Sequence, residues 1–175
     1  MARNFDFSNL AVMVVDDNQY MLHIVKAVLN SMRIKEVHGF TDAADAFADL
    51  MNWYPDVIFT DSAMDPLNGL EFVKLIRSSK GPIQFVPLIV LTGHADRRLV
   101  QQARDSGADY TLRKPVALDG VYKTFVHMVE KNRVFVESAL YFGPERRKKQ
   151  RPFDGPDRRN ADVTPQFRTP PPRDS

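Results

Sequence analysis

The chain has 175 residues, 43% of them hydrophobic, and a formal net charge of +2, which suits one globular domain with an appendage. With no cysteine, disulfides and thiolate metal sites are excluded. The opening MARNFDFSNL has no apolar signal core, and no apolar run reaches the roughly 20 residues of a bilayer span, so a soluble cytoplasmic protein without membrane insertion is expected.

The run LAVMVV (10–15) predicts a first strand, and it stops abruptly at Asp16 and Asp17. Residues 18–32 follow, with Met21, Ile24, Val25, Val28, Leu29 and Met32 at helical spacing. EVHGF (36–40) reads as a second strand and about 42–53 as a helix. DVIFT (56–60) leads to Asp61, and a helix is expected over 69–79. VPLIVL (86–91) leads to Thr92, before a helix at about 95–106. DYTLR (109–113) leads to Lys114 and Pro115, and a last helix is expected over 118–140. Three of the five runs are almost continuous in Val, Ile, Leu, Phe and Met, as strands buried on both faces of a parallel sheet are. Five strands alternating with five helices predict an α/β fold, a doubly wound five-stranded parallel sheet of order 2-1-3-4-5. Ligands of such sheets bind beyond the carboxyl ends of the strands.

Those ends carry Asp16, Asp17, Asp61, Thr92 and Lys114. Three carboxylates brought together repel, so one keeps a proton or a cation joins them. A hard divalent ion such as Mg²⁺, with oxygen ligands, waters and a phosphate oxygen, answers that need. The same site suits phosphoryl transfer, with a carboxylate attacking phosphorus and the lysine and hydroxyl holding the other oxygens. Each residue taken alone has a blander reading. Asp16 and Asp17 could cap the first helix, Asp61 could begin a turn, Thr92 could be a β-favouring residue, and Lys114 a solvated surface charge. The joint placement of all of them at one rim favours the chemical reading.

The motifs VVDDN (14–18), D-x-x-M with NG (61–69), LTG (91–93) and KP (114–115) resemble, in order and spacing, the receiver domain of two-component response regulators, CheY-like, over roughly residues 8–135. The resemblance implies Asp61 as phosphoacceptor, charged from a phosphohistidine on a sensor histidine kinase or phosphotransfer protein. It implies Asp16, Asp17, Asp61 and the backbone carbonyl of Ala63 as Mg²⁺ ligands, Asp17 more directly than Asp16. Thr92 would be the switch hydroxyl and Lys114 the partner of the phosphoryl group, with a cis bond before Pro115. Ala63 and His94 would flank the phosphate. Two positions depart from the family pattern. Asp65 stands between Met64 and Pro66, where proline usually follows the methionine. Thr111 stands where an aromatic switch residue usually does, with Tyr110 one residue earlier; a one-residue shift turns a strand side chain to the opposite face.

Residues 141–175 hold nine basic and five acidic side chains and seven of the twelve prolines, so a boundary is expected near Leu140, with a receiver over 1–140 and a basic, proline-rich, disordered tail over 141–175. Val121, Phe125, Met128 and Val129 read as the core stripe of the last helix. Phe135, Val136, Leu140, Tyr141 and Phe142 are surplus, either folded back on the receiver or forming a homodimer or partner surface. GPERR (143–147) recurs as GPDRR (155–159). The tail is too short and proline-rich for a helix-turn-helix, and nucleic acid is not an expected partner. The expected function is that of a single-domain response regulator. It would signal through a phosphorylation-dependent protein partner and would turn over no external substrate. The alternative is a phosphorylation-independent adaptor acting through the last helix and tail. An aspartyl phosphatase would want a second Asp two residues after Asp61, where Ala63 stands, and neither a P-loop nor G-x-G-x-x-G is present.

Overall fold

The computed structural model describes residues 5–93, 97–131, 135–138, 141–144 and 166–168. In chain order the elements are β1 (Ala11–Val15), α1 (Gln19–Ser31), β2 (Glu36–Phe40), α2 (Ala43–Asp49), β3 (Val57–Asp61), α3 (Gly69–Ser78), a 3₁₀ turn (Pro82–Phe85), β4 (Leu88–Thr92), α4 (Arg97–Ser106), β5 (Tyr110–Arg113), α5 (Leu118–Glu130), β6 (Phe135–Ser138), β7 (Tyr141–Pro144) and β8 (Gln166–Arg168). The first five strands form one sheet of order β2-β1-β3-β4-β5, and the pairs within it are parallel. This is the doubly wound order expected from the sequence.

The central strands β1, β3 and β4 are buried at every position. Their alternate residues feed two cores, because a strand turns successive side chains to opposite faces. Met13, Val15, Ile58, Leu88 and Val90 meet Phe72, Val73 and Ile76 of α3 and Ala103 of α4 on one face. Val12, Val14, Val57, Phe59, Ile89 and Leu91 meet Leu22, Val25 and Leu29 of α1 and Val121 and Phe125 of α5 on the other. At about 25 cal/mol per Å² of apolar surface removed from water, these two layers dominate the favourable side of folding.

At the outer edge of the sheet His38 of β2 stacks on Trp53, with ring centroids 3.8 Å apart and planes 10° apart. Trp53 Nε1 donates to Glu36 Oε1 at 2.6 Å, and His38 Nδ1 lies 3.3 Å from Asp49 Oδ2. Helix α2 ends at Asp49, short of the expected 53. Pro55 follows closely and disfavours helical backbone at Tyr54.

The last helix also differs from expectation. It ends at Glu130, ten residues before the predicted end, and Val129, assigned to its core stripe, is 59% exposed. The segment beyond, rich in aromatic and β-branched residues, takes the strand form that such residues favour. β6 pairs antiparallel with both β7 and β8, in the order β7-β6-β8. Phe135 is fully buried, edge-on to Phe85 of the 3₁₀ turn at 5.1 Å and stacked on Phe142 at 5.6 Å. Leu140 and all of the tail outside β7 and β8, including GPDRR, lie outside the described residues.

The seat of this aromatic cluster is Arg77, buried at the end of α3. Its guanidinium donates to the carbonyls of Gly107, Gln84 and Val86 and to Asp109 Oδ2, at 2.7–2.9 Å, and lies 5.3 Å from the Phe135 ring centre. Asp109 Oδ2 also accepts the Leu88 N–H at 2.6 Å. A buried charge is tolerable when it is paired and its hydrogen bonds are made, as here. Gly107 has φ +102°, and a Cβ there would press on Arg77 and on the Phe142 carbonyl, so the extension comes close only because this residue is glycine. This cluster gathers at the amino ends of β4 and β5, the pole of the sheet opposite Asp61.

Candidate functional site

At the other pole the parallel register brings the strand ends level. Asp16 follows β1, Asp61 closes β3, Thr92 closes β4 and Lys114 follows β5. The Lys114 backbone N–H donates to the Thr92 carbonyl at 2.7 Å, which extends the β4–β5 pairing to the site itself. Asp16, Asp61 and Thr92 are buried, while Asp17 is exposed. One oxygen from each of Asp16, Asp17 and Asp61 falls within 4.8 Å of the others. Lys114 Nζ bridges the two buried carboxylates, 2.7 Å from Asp16 Oδ2 and 3.0 Å from Asp61 Oδ1.

These charges shift one another. Burial pushes the Asp16 carboxyl above the usual carboxylate range, against the pull of the Lys114 and Asn18 hydrogen bonds, and Asp61 adds to the rise. Burial works against the Lys114 ammonium, but its hydrogen bonds to Asp16 and Asp61 outweigh that and hold it above its usual value. The cluster therefore keeps the Lys114 cation beside three carboxylates, a donor set that fits a hard divalent ion.

The loops are built to aim these groups. The helix-cap reading of Asp16 and Asp17 is set aside, because the cap is Asn18: its side chain accepts from the Tyr20 and Met21 N–H groups at 2.9 and 3.3 Å. On the far side of Asp61, Asn68 and Glu71 form a capping box at the start of α3. Gly69 lies so close to β3 that a Cβ would collide with the Asp61 carbonyl oxygen and sit 3.1 Å from Thr60 Oγ1. Ala63 is exposed in the loop after β3, and His94 lies outside the described residues. The bond before Pro115 is cis, as is the one before Pro66 beside Asp65.

The departure in β5 has a clear geometry. Tyr110 packs into the core shared with α1 and α5, its ring 5.6 Å from that of His127. Thr111 pairs with Val90, a residue of the opposite core. The aromatic ring thus faces α5, and a hydroxyl stands at the position facing the α4 side.

Two contributors carried signals that the motif reading passed over. Asn18 stands immediately before a helical pattern, the position where an N-cap is expected. Gly69 follows the Asn68 cap, where glycine has no propensity advantage in a helix and so points to a close approach.

Comparison with known proteins agrees with the geometry. The family model of the response regulator receiver domain matches residues 12–125. A protein-glutamate methylesterase/protein-glutamine glutaminase of Thermotoga maritima is 32% identical over 107 residues, 61% of this chain and 30% of the relative. Chemotaxis protein CheY-3 of Vibrio cholerae is 26% identical over 107 residues, 61% of this chain and 82% of the relative. The chain spans 30–41% of the length of the first curated relatives it matches. Among solved structures, chemotaxis protein CheY4 of Vibrio cholerae superposes with a TM-score of 0.62 at 29% identity, covering 67% of this chain and 98% of that one. The receiver domain of sensor histidine kinase PA1611 from Pseudomonas aeruginosa, described with a magnesium ion in its active-site cleft, superposes at 0.63 with 21% identity, covering 70% of this chain and 98% of that one. No helix among the described residues is long and apolar enough to cross a membrane. Sheet order, strand-end carboxylates and a family match over more than half of the sequence converge: the chain belongs to the response regulator receiver domain family.

Proposed function

We propose that this chain is a cytoplasmic phosphoacceptor that takes a phosphoryl group on Asp61 from a sensor histidine kinase or a phosphotransfer protein and changes its protein partner as a result. The observation that carries the reading is the meeting of Asp16, Asp17 and Asp61 within 4.8 Å, with the Lys114 ammonium on two of them. An Asp61 carboxylate oxygen attacks phosphorus, the phosphorus–nitrogen bond of the phosphohistidine breaks, and the imidazole leaves with the electron pair. Lys114 then has a phosphoryl oxygen to pair with at the same place where it now holds Asp61. The Thr92 hydroxyl, at the adjacent strand end, is the group that would turn toward a second oxygen. Asp16, Asp17, Asp61 and the Ala63 carbonyl would hold Mg²⁺, whose charge offsets that of the phosphoryl oxygens in transfer.

Receiver domains of this type are signalling modules, although some relatives that carry one are enzymes. In this proposal the phosphoryl group is transferred to Asp61 and the reaction ends on the chain itself. The adaptor reading draws no support from the family match or from the site.

The test is intact-mass spectrometry after incubation with Mg²⁺ and acetyl phosphate. Wild type should gain one phosphoryl unit and Asp61→Asn none. Equal labelling of the two, or labelling of neither under conditions that label another receiver, overturns the proposal.

A further inference from the structure

The first turn of α1 is wired to the acidic site by a short run of hydrogen bonds. The Asn18 side-chain oxygen accepts from the Tyr20 and Met21 N–H groups, and its backbone carbonyl accepts from Leu22 at 3.1 Å. The Asn18 backbone N–H in turn donates to Asp16 Oδ1 at 3.0 Å. The other Asp16 oxygen takes Lys114, which reaches on to Asp61. Asp16 itself is pinned from behind, its N–H donating to the Phe40 carbonyl at 3.0 Å. Asp17, the exposed member of the cluster, is therefore the middle residue of a three-residue turn fixed at both ends: by β2 through Asp16 and by α1 through Asn18.

We infer that Asn18 is a positioning residue for the divalent-ion site: its side chain anchors the turn that aims Asp16 and Asp17, so it sets metal affinity without touching the metal. This rests on the proposed Mg²⁺ site and deepens it. The physical argument is one of preorganisation. A carboxylate that is already held where the ion needs it loses little freedom on binding, whereas an unanchored turn must be ordered at that moment. Loss of the cap also leaves α1's first N–H groups without their side-chain acceptor and loosens the backbone whose N–H aims Asp16 Oδ1. Serine caps a helix about as well as asparagine, while alanine does not cap at all, so the two substitutions separate capping from bulk.

The experiment measures Mg²⁺ affinity by isothermal titration calorimetry on the full chain, wild type, Asn18→Ala and Asn18→Ser, with the thermal midpoint of each in Mg²⁺-free buffer. Asn18→Ala should bind Mg²⁺ roughly fivefold more weakly, because the turn must then be ordered on binding. Asn18→Ser should return to within about twofold of wild type, as a retained cap requires. A purely structural role would lower the thermal midpoint of Asn18→Ala and leave its Mg²⁺ affinity at the wild-type value, and that result overturns the inference. Equal weakening in Asn18→Ser and Asn18→Ala overturns it as well, because the cap would then be irrelevant. Absence of Mg²⁺ binding in wild type would instead remove the metal site on which the inference stands.

Discussion

Phe135 lies ten residues past the end of the family match, yet its ring is fully enclosed. Phe135→Ala removes that ring from between Phe85, Phe142 and the Arg77 guanidinium. Truncating a buried phenylalanine costs about 3–5 kcal/mol, the sum of lost transfer energy and the cavity left behind. Two ring pairs of about 0.5–1.5 kcal/mol each and a contact with a buried cation place this site toward the upper part of that range. At roughly 2–4 °C per kcal/mol for a chain of this size, the melting temperature should drop by about 10 °C or more. Far-UV circular dichroism during heating and in urea reads this directly, with exposed Val129→Ala as the control, expected within about 0.5 kcal/mol of wild type. The whole transition should move as one, because Arg77 ties the aromatic cluster to the starts of β4 and β5. A loss below about 1 kcal/mol, or a small separate transition with the main one unmoved, would refute the claim that the extension folds as part of the receiver.

Two further outcomes follow from the site. Gly69→Ala forces a Cβ onto the Asp61 carbonyl, so it should cost about 1–3 kcal/mol in urea unfolding, as overpacking does. It should also slow acetyl-phosphate labelling by at least tenfold, a shift of about 1.4 kcal/mol in the barrier; labelling at the wild-type rate would show that the close approach does not aim Asp61. Because burial raises the Asp16 carboxyl above its ordinary 3.8, the folded chain holds that proton more tightly than the unfolded chain does. Stability from this group is complete below the ordinary value and is lost as pH climbs through the raised folded value. Asp16→Asn should therefore melt above wild type at pH 7 in Mg²⁺-free buffer, with the gap closing toward acid pH, and a lower melting point at pH 7 contradicts the sign.

The sheet and its chemical rim were legible because both rest on local signals. Strands buried on two faces read as unbroken apolar runs, and the residue that stops each run is the one delivered to the rim; Asp16, Asp61, Thr92 and Lys114 are all of this kind. The end of α5 was not legible, because helical spacing in Val121, Phe125 and Met128 runs without punctuation into residues with strand preference. What separates them is Phe85, fifty residues earlier in the chain, and a distant partner leaves no mark on local periodicity. Arg77 was invisible for the same reason. An arginine at a helix end reads as a solvated charge, and its acceptors at Gln84, Val86, Gly107 and Asp109 meet only once the fold exists. The shift from Tyr110 to Thr111 was readable in advance, since a strand's two-residue period is a local rule.

The stack of Trp53 on His38 has a consequence for optical work on this chain. Trp53 is its one tryptophan, so its intrinsic indole emission comes from a single place, the outer edge of the sheet. His38 pairs in register with Met13, three residues short of Asp16 along the next strand. The indole lies face to face with the His38 ring, which also contacts Asp49 at the end of α2, so the signal responds first to how α2 seats on β2. A change in emission when the acidic rim is filled would mean that β1 has carried a rearrangement across the sheet to its neighbour. Unchanged emission would mean that the rim works without disturbing that edge. The natural fluorophore thus reports on the far strand and leaves the chemistry at Asp61 to labels placed elsewhere.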